Sequence, residues 1–398
     1  MDVIASNSTL RRDLPDPGQS TFLFSSPHRA IRAFGVGERI ALPACGGEDR
    51  AGPLQDAVGR ALAAARRAGQ PSPVVVGAIP FDTREPSCLF VPHRHRMLDR
   101  DEVAAGIGES RREEHRVLGT RSLPGKDGFT QAVSGALAAF AEGGIRKAVL
   151  SRVLEIELTR PVDVAAVMAT LIRQNPSGYH FQVPLPDGGV LLGASPELLV
   201  RKQGDAVVSN PLAGSAKRSD DPGRDILASR QLLQSSKDNH EHALVIEGVR
   251  RLLEPWCRTL TVPAEPMLMH TPTMWHLSTL IEGEAREKTV SALQLACLLH
   301  PTAAVCGVPT AGARALIQSL EPFDRGLFAG IVGWCDADGD GEWAIVIRCG
   351  TVNDRWVRLF AGAGIVPASD PASEWAETGA KLRTMLRAFG IGDEGDGR

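Results

Sequence analysis

YHFQVPLPDGGVLLGASPELLVRKQGDAVVSN, residues 179–210, sets four apolar runs at 179–183, 190–193, 198–201 and 206–209 between turn residues such as Pro186-Asp187-Gly188 and Gly204-Asp205. The gaps are too short for a helical crossover, so these runs predict antiparallel strands rather than strand–helix–strand units. The same texture extends outward. Residues 147–158 alternate as a strand, with Ala148, Leu150, Leu154 and Ile156 on one face and Lys147, Val149, Ser151 and Val153 on the other. Near the end, residues 330–335, 342–349 and 356–361 predict three successive antiparallel strands, with Arg348 inside the second.

Helical signals surround these strands. Residues 130–142 form a periodic run stopped by Gly143 and Gly144, and residues 237–253 carry Ala243, Leu244, Ile246, Val249, Leu252 and Leu253 as a core stripe with Ser236 as N-cap. Asp370 and Pro371 open a last helix running to Phe389 and closed by Gly390. Toward the N-terminus, residues 22–24, 74–79 and 88–91 are expected as strands and residues 54–68 as an Ala-rich helix. Residues 99–127, with Arg111, Arg112, Glu113 and Glu114 in a row, are expected as a solvated connection. The predicted class is α+β: one large domain of two packed antiparallel sheets surrounded by helices, residues 1–120 completing the sheets and residues 121–398 forming the catalytic region.

Bulk properties narrow the function. With 398 residues, 43% apolar and 23% charged, and a net charge of −3, the composition is that of a globular protein with a sizeable core and no polyanion partner. Aromatics total 5%, with Tyr179 the one tyrosine, which leaves no stacking platform for single-stranded nucleic acid. Arg11, Arg12 and Asp13 interrupt the place where a secretory signal needs an apolar core, and no run reaches the ~18 apolar residues of a membrane span. A cytoplasmic location is expected. Seven cysteines without a C-x-x-C pair fit buried thiols, neither a disulfide framework nor a zinc ribbon.

Several apparent motifs fail on their spacing. Asp336, Asp338 and Asp340 begin like a calcium loop, but Ile347 stands where its bidentate Glu belongs, so a hairpin loop is expected. His240 and His242 are two apart on a helix and do not share a face. Gly362-Ala363-Gly364 lacks the third glycine of a dinucleotide loop.

Two acidic clusters carry more. Glu374, Glu377 and Lys381 fall at i, i+3 and i+7 of the last helix, on one face; alone they are expected to be a salt-bridged surface, and solvation is the default for Glu241. Together, three carboxylates on two helices suffice to hold one octahedral Mg²⁺ with positions open to a carboxylate substrate, and Arg348 suits a bidentate contact to such a group.

The segments KAVLSR (147–152), GASPELL (193–199), PLAGS (211–215), SKDNHEH (236–242), HPT (300–302), FDR (323–325), GIVGW (330–334), IRC (347–349) and AGAGIV (361–366) occur in this order. In that order, over roughly 130–390, the chain resembles the chorismate-utilising enzymes, which include the isochorismate, salicylate and anthranilate synthases. The resemblance implies Mg²⁺ as cofactor, with Glu241 and Glu377 as ligands and Glu374 reaching the metal through water. It implies that Gly214, Ser215, Arg348, Gly362 and Lys381 hold the two substrate carboxylates. Ala304 and Val305 correspond to positions lining the ring pocket, and His276 to a substrate-proximal histidine. Ala303 stands where relatives often have proline.

Within that family the nucleophile sets the reaction. Anthranilate synthases, which take ammonia from a glutaminase partner, typically lack a lysine at position 147, so Lys147 points to water and to no glutaminase subunit. The implied reaction is an isomerisation of chorismate to isochorismate: water adds at C2 with Lys147 as base, and the C4 hydroxyl leaves with Glu197 as acid. A lysine is a poor base at neutral pH, so its surroundings would have to help it give up a proton, while Glu197 would have to stay protonated. The length, without long extensions, suggests service to catechol siderophores, and a monomer is expected. Salicylate formation with loss of pyruvate is one alternative; a silent chorismate-binding protein is another.

Overall fold

The computed structural model describes residues 21–99, 102–103 and 116–392. The N-terminal residues read for a secretory signal and the charged run 111–114 lie outside the described residues. In chain order the strands are β1 Phe22–Ser25, β2 Ala30–Ile40, β3 Val74–Ile79, β4 Cys88–Leu98, β5 Val117–Leu123, β6 Lys147–Leu158, β7 Tyr179–Pro184, β8 Val190–Ser195, β9 Leu198–Gln203 and β10 Ala206–Asn210. They continue as β11 Leu212–Lys217, β12 Cys257–Thr261, β13 Met267–His270, β14 Met274–Ser278, β15 Ile281–Ala285, β16 Gly307–Val308, β17 Ile331–Asp336, β18 Gly341–Ile345, β19 Cys349–Asn353 and β20 Trp356–Ile365. The helices are α1 Pro53–Arg67, α2 Lys126–Ala141, α3 Val164–Gln174, α4 Pro222–Gln234, α5 Ser236–Leu253, α6 Ala292–Leu299, α7 Thr310–Leu320 and α8 Pro371–Ala388.

Antiparallel pairing links seventeen strands into one ribbon. From β5 and β16, which share one edge of β6, the order runs β6, β20, β19, β8, β7, β1 and β2. It continues through β4, β3, β17, β18, β9, β10, β15 and β12. One apolar cluster draws on both halves: Leu150 of β6, Phe181 of β7 and Leu191 of β8 join Val75 of β3, Trp343 of β18 and Val200 of β9. The ribbon therefore folds over at β1 and β2 into two layers with a shared core, the α+β class expected. A second cluster seats α3 and α8 on the outside of the first layer, through Leu171, Leu382 and Met385 against Leu154, Ile156 and Leu158. A separate sheet of β11, β14 and β13 lies beside α5.

Some boundaries differ from the sequence expectation. Residues 117–123 are a strand at the ribbon's edge, not a connection; one side faces solvent, so the strand carries polar residues and lacks an apolar run. The cap of α5 is Ser235, whose side chain accepts from Asp238 N, rather than Ser236. The buried stripe of α5 is Glu241, His242, Val245, Val249 and Leu253, and Ala243 faces out. The run 342–349 is not one strand: β18 ends at Ile345 and β19 begins at Cys349, with Arg348 in the bend between them at φ +50°.

Candidate active site

The chain passes between the two layers at two adjacent places. Pro196 and Glu197 join β8 to β9, and Val346 to Arg348 join β18 to β19. The crossings are tied together, Ile345 N donating to Glu197 O at 3.2 Å and Ala194 N to Arg348 O at 3.0 Å. Where strands leave their sheet, side chains gain access to a shared opening, and here that opening is a narrow cleft. It is lined by Glu197, Gly214, Ser215, Glu241, His276, Ala304, Val305, Arg348, Gly362, Glu377 and Lys381, eleven of the thirteen positions singled out from the sequence.

Lys147 and Glu374 are the two that do not line it. Lys147 starts β6 and is fully buried, its Nζ 3.0 Å from Glu241 Oε1 in an ion pair without hydrogen-bond alignment. Glu374, in the first turn of α8, is 1% exposed and pairs with Lys237 at 2.6 Å, leaving Oε2 buried without a hydrogen-bond partner. Lys237 was not anticipated; it sits in the SKDNHEH segment, one helical turn before Glu241.

The electrostatics follow from burial. Glu197 receives one hydrogen bond, from Leu212 N at 3.4 Å, and burial pushes its carboxyl up to about 7 against that bond and the charges of Lys147, Arg348 and Lys381. Burial likewise lowers the Arg348 guanidinium to about 10, partly offset by Glu377 and Glu197, so it stays charged at neutral pH, with Nε buried and unpartnered. His276 is held well below its ordinary value by burial and by the charges of Arg348 and Lys381, which makes it a neutral imidazole with Nε2 unpartnered. For Glu377 burial acts upward, but the ion pair to Lys381 at 2.6 Å, the charge of Lys237 and the 3.0 Å hydrogen bond from Ser215 Oγ leave it below its usual range.

Glycines admit these groups. A Cβ on Gly364 would stand 2.0 Å from Glu241 Oε1, and one on Gly362 would stand 2.6 Å from Ser151 Oγ. Gly214 adopts φ +79° beside Asp238. Lys381 Nζ donates to Gly362 O at 2.9 Å. On the apolar side, Phe328 and Phe360 stack at 5.0 Å with Val149 alongside. These three were not singled out from the sequence, because an apolar residue on a strand looks the same whether it faces core or cleft.

Helix α8, which brings Glu374, Glu377 and Lys381, is firmly anchored. Asp370 caps it through Ser373 N at 2.8 Å, and the buried Arg152 of β6 lies 3.7 Å over Trp375 and donates to Thr378 Oγ1 at 2.8 Å.

Among the described residues no three acidic, histidine or cysteine side chains converge on one point. Glu241, Glu374 and Glu377 are instead each neutralised by a lysine. The donor set nevertheless suits a hard divalent cation: it is all carboxylate, Glu374 has a buried orphan oxygen, and the negative charge of Glu377 adds to burial in raising Glu374.

A two-layer antiparallel fold with a cleft at its strand crossings, carrying acid, cation and carboxylate clusters, is the arrangement of an enzyme for a small anion, and the chain belongs to the chorismate binding enzyme family, whose sequence profile matches residues 93–390. It is 47% identical over 371 residues to the isochorismate synthase EntC of Escherichia coli (strain K12), covering 93% of this chain and 95% of that protein. Identity to the isochorismate synthase DhbC of Bacillus subtilis (strain 168) is 44% over 381 residues, covering 93% and 94%. The crystal structure of the putative 2,3-dihydroxybenzoate-specific isochorismate synthase DhbC from Bacillus anthracis superimposes with a TM-score of 0.87 at 41% identity, over 94% of this chain and 97% of that one.

Proposed function

We propose that this chain is an isomerase that interconverts chorismate and isochorismate by adding water at C2 and expelling the C4 hydroxyl. The observation that carries the reading is Glu197: a carboxyl in the cleft wall, raised to about 7, keeps a proton available for a leaving oxygen at neutral pH. Lys147 takes the proton of the incoming water, a role that requires its neutral amine and therefore release of the ion pair it makes with Glu241. Arg348 supplies a fixed bidentate partner for one substrate carboxylate, and Lys381 supplies charge for the other from its place on Gly362. Gly214, Ser215 and Gly362 let backbone approach those anions closely, while Val149, Ala304, Val305, Phe328 and Phe360 give the ring an apolar seat. His276, neutral, offers the ring a hydrogen bond without adding charge.

Glu241 and Glu377 would hold Mg²⁺ in this reading, with Glu374 through water, and the metal would supply positive charge for the ring carboxylate. The likeness to a 2,3-dihydroxybenzoate-specific relative supports a place in catechol siderophore formation. The deciding experiment incubates the purified protein with chorismate and Mg²⁺, with an EDTA control, and separates chorismate, isochorismate, salicylate and pyruvate by chromatography. A metal-dependent chorismate–isochorismate mixture is expected. Stoichiometric salicylate and pyruvate would replace this reading with salicylate synthesis, and no turnover would leave a binding protein.

A further inference from the structure

Strand β6 has a hole in its ladder beside the cleft. On one edge β20 pairs with it continuously from Ala148 to Glu157. On the other edge β16 reaches only Lys147 and Ala148, and β5 begins only opposite Val153. Backbone groups of residues 149 and 151 face that gap, in a strand that carries Lys147 at its start and Val149 in the cleft wall. Buried backbone groups without partners are costly, so something must replace the missing strand.

Two side chains from the segment that follows α7 do so. Glu321 Oε1 accepts from Ser151 N at 2.7 Å, and Arg325 Nη2 donates to Val149 O at 2.6 Å. Arg325 Nη1 also donates to Val305 O at 2.9 Å, which fastens the ring-pocket loop to the same point, while Val149 N donates to Cys306 O at 2.8 Å. The pair is closed on itself, Arg325 Nε to Glu321 Oε2 at 2.8 Å and Nη2 to Oε1 at 2.5 Å, and each side chain is 3% exposed. Arg325 is held from its other face by Phe81 at 4.3 Å. A salt bridge this buried is weak evidence for stability, since its desolvation opposes its attraction; what it contributes is a fixed geometry.

We propose that Glu321 and Arg325 are positioning residues that stand in for a missing strand, setting Lys147 and Val149 on β6 against Ala304 and Val305 for the reaction proposed above, on which this inference rests. A real strand in the gap would close the sheet over the pocket wall. Two side chains bridge the same backbone groups and leave that wall open. Neither residue lines the cleft, so substrate binding and turnover should separate when the pair is altered.

The test compares kcat and KM for chorismate, chorismate binding and the thermal midpoint in the parent and in Glu321→Gln, Glu321→Leu and Arg325→Lys, assayed well below each midpoint. Glutamine keeps an acceptor for Ser151 N; leucine does not. Misplacing the base relative to the ring should lower kcat roughly ten- to a hundredfold in Glu321→Leu and Arg325→Lys, with less loss in Glu321→Gln and KM within about threefold. A purely structural pair would move the melting midpoint and leave kcat in place, which would overturn the proposal, as would a loss confined to KM. Should Arg325→Lys not fold, the graded Leu, Gln, Glu series decides alone. A parent that binds chorismate without turning it over would instead overturn the reading of the reaction.

Discussion

Glu197 shows how one residue acquires its chemistry from its place in the chain. It sits where β8 becomes β9, so its side chain leaves the sheet for the cleft, while 3% exposure and a single long hydrogen bond withhold the solvation an ionised carboxylate needs. The sequence alone marked the position through GASPELL, and a requirement for a protonated carboxyl was already part of that reading. What the sequence did not contain was the burial that raises the group. A group near 7 that must be protonated to serve as an acid should lose effectiveness as pH rises through that value. For chorismate as substrate, kcat/KM, which reports groups of the free enzyme, should therefore fall on the alkaline side of about 7. Glu197→Gln should lower kcat by about 10²–10⁴-fold, the usual worth of a general acid, and remove that limb. A pH–rate series on parent and variant tests both points, and an unchanged alkaline limb in Glu197→Gln would reassign the acid.

Elements with a repeating pattern were legible, and those set by neighbours were not. Strand β6 spans the residues 147–158 expected, although its first eight residues are buried on both faces, and α8 begins where Asp370 and Pro371 say it should. The bend at Arg348 was missed because AIVIRCGTV reads as one apolar run, and an arginine at positive φ carries no signal comparable to glycine. That bend is nevertheless what turns the guanidinium out of the ladder. The ends of α5 and α8 that carry the carboxylates depend on their caps. Asp370→Ala removes the acceptor for Ser373 N and should destabilise the protein by about 1 kcal/mol. Urea denaturation followed by circular dichroism measures it, and a loss of only a tenth or two of that amount would show that Arg152 on Trp375 fixes the helix without its cap.

At the scale of the whole molecule, folding one ribbon into two layers buries polar side chains along with apolar ones. The class was readable from the close spacing of strands in residues 179–210. The closure at β1 and β2 was not, because β2 was unrecognised and long-range pairing leaves no local mark. Glu342 is a consequence of that closure. It lies on β18 between β17 and β9, 1% exposed, with only the Ser26 hydroxyl and the charges of Arg201, 4.0 Å away, and Arg29 to offset its burial. Burial raises its carboxyl from 4.5 to about 7. Because the folded value is the higher one, the protonated form favours the fold. The associated stability is complete below about 4.5, declines as pH rises toward 7, and is gone above it. The shift corresponds to roughly 3 kcal/mol between those limits. Glu342→Gln removes the ionisation while keeping the shape, so its stability relative to the parent should improve by that order between pH 5 and pH 8. Thermal or urea denaturation of both proteins at the two pH values measures the difference. An advantage that stays constant with pH would mean that Arg201 compensates the carboxylate fully, and that the layer interface tolerates the charge as it stands.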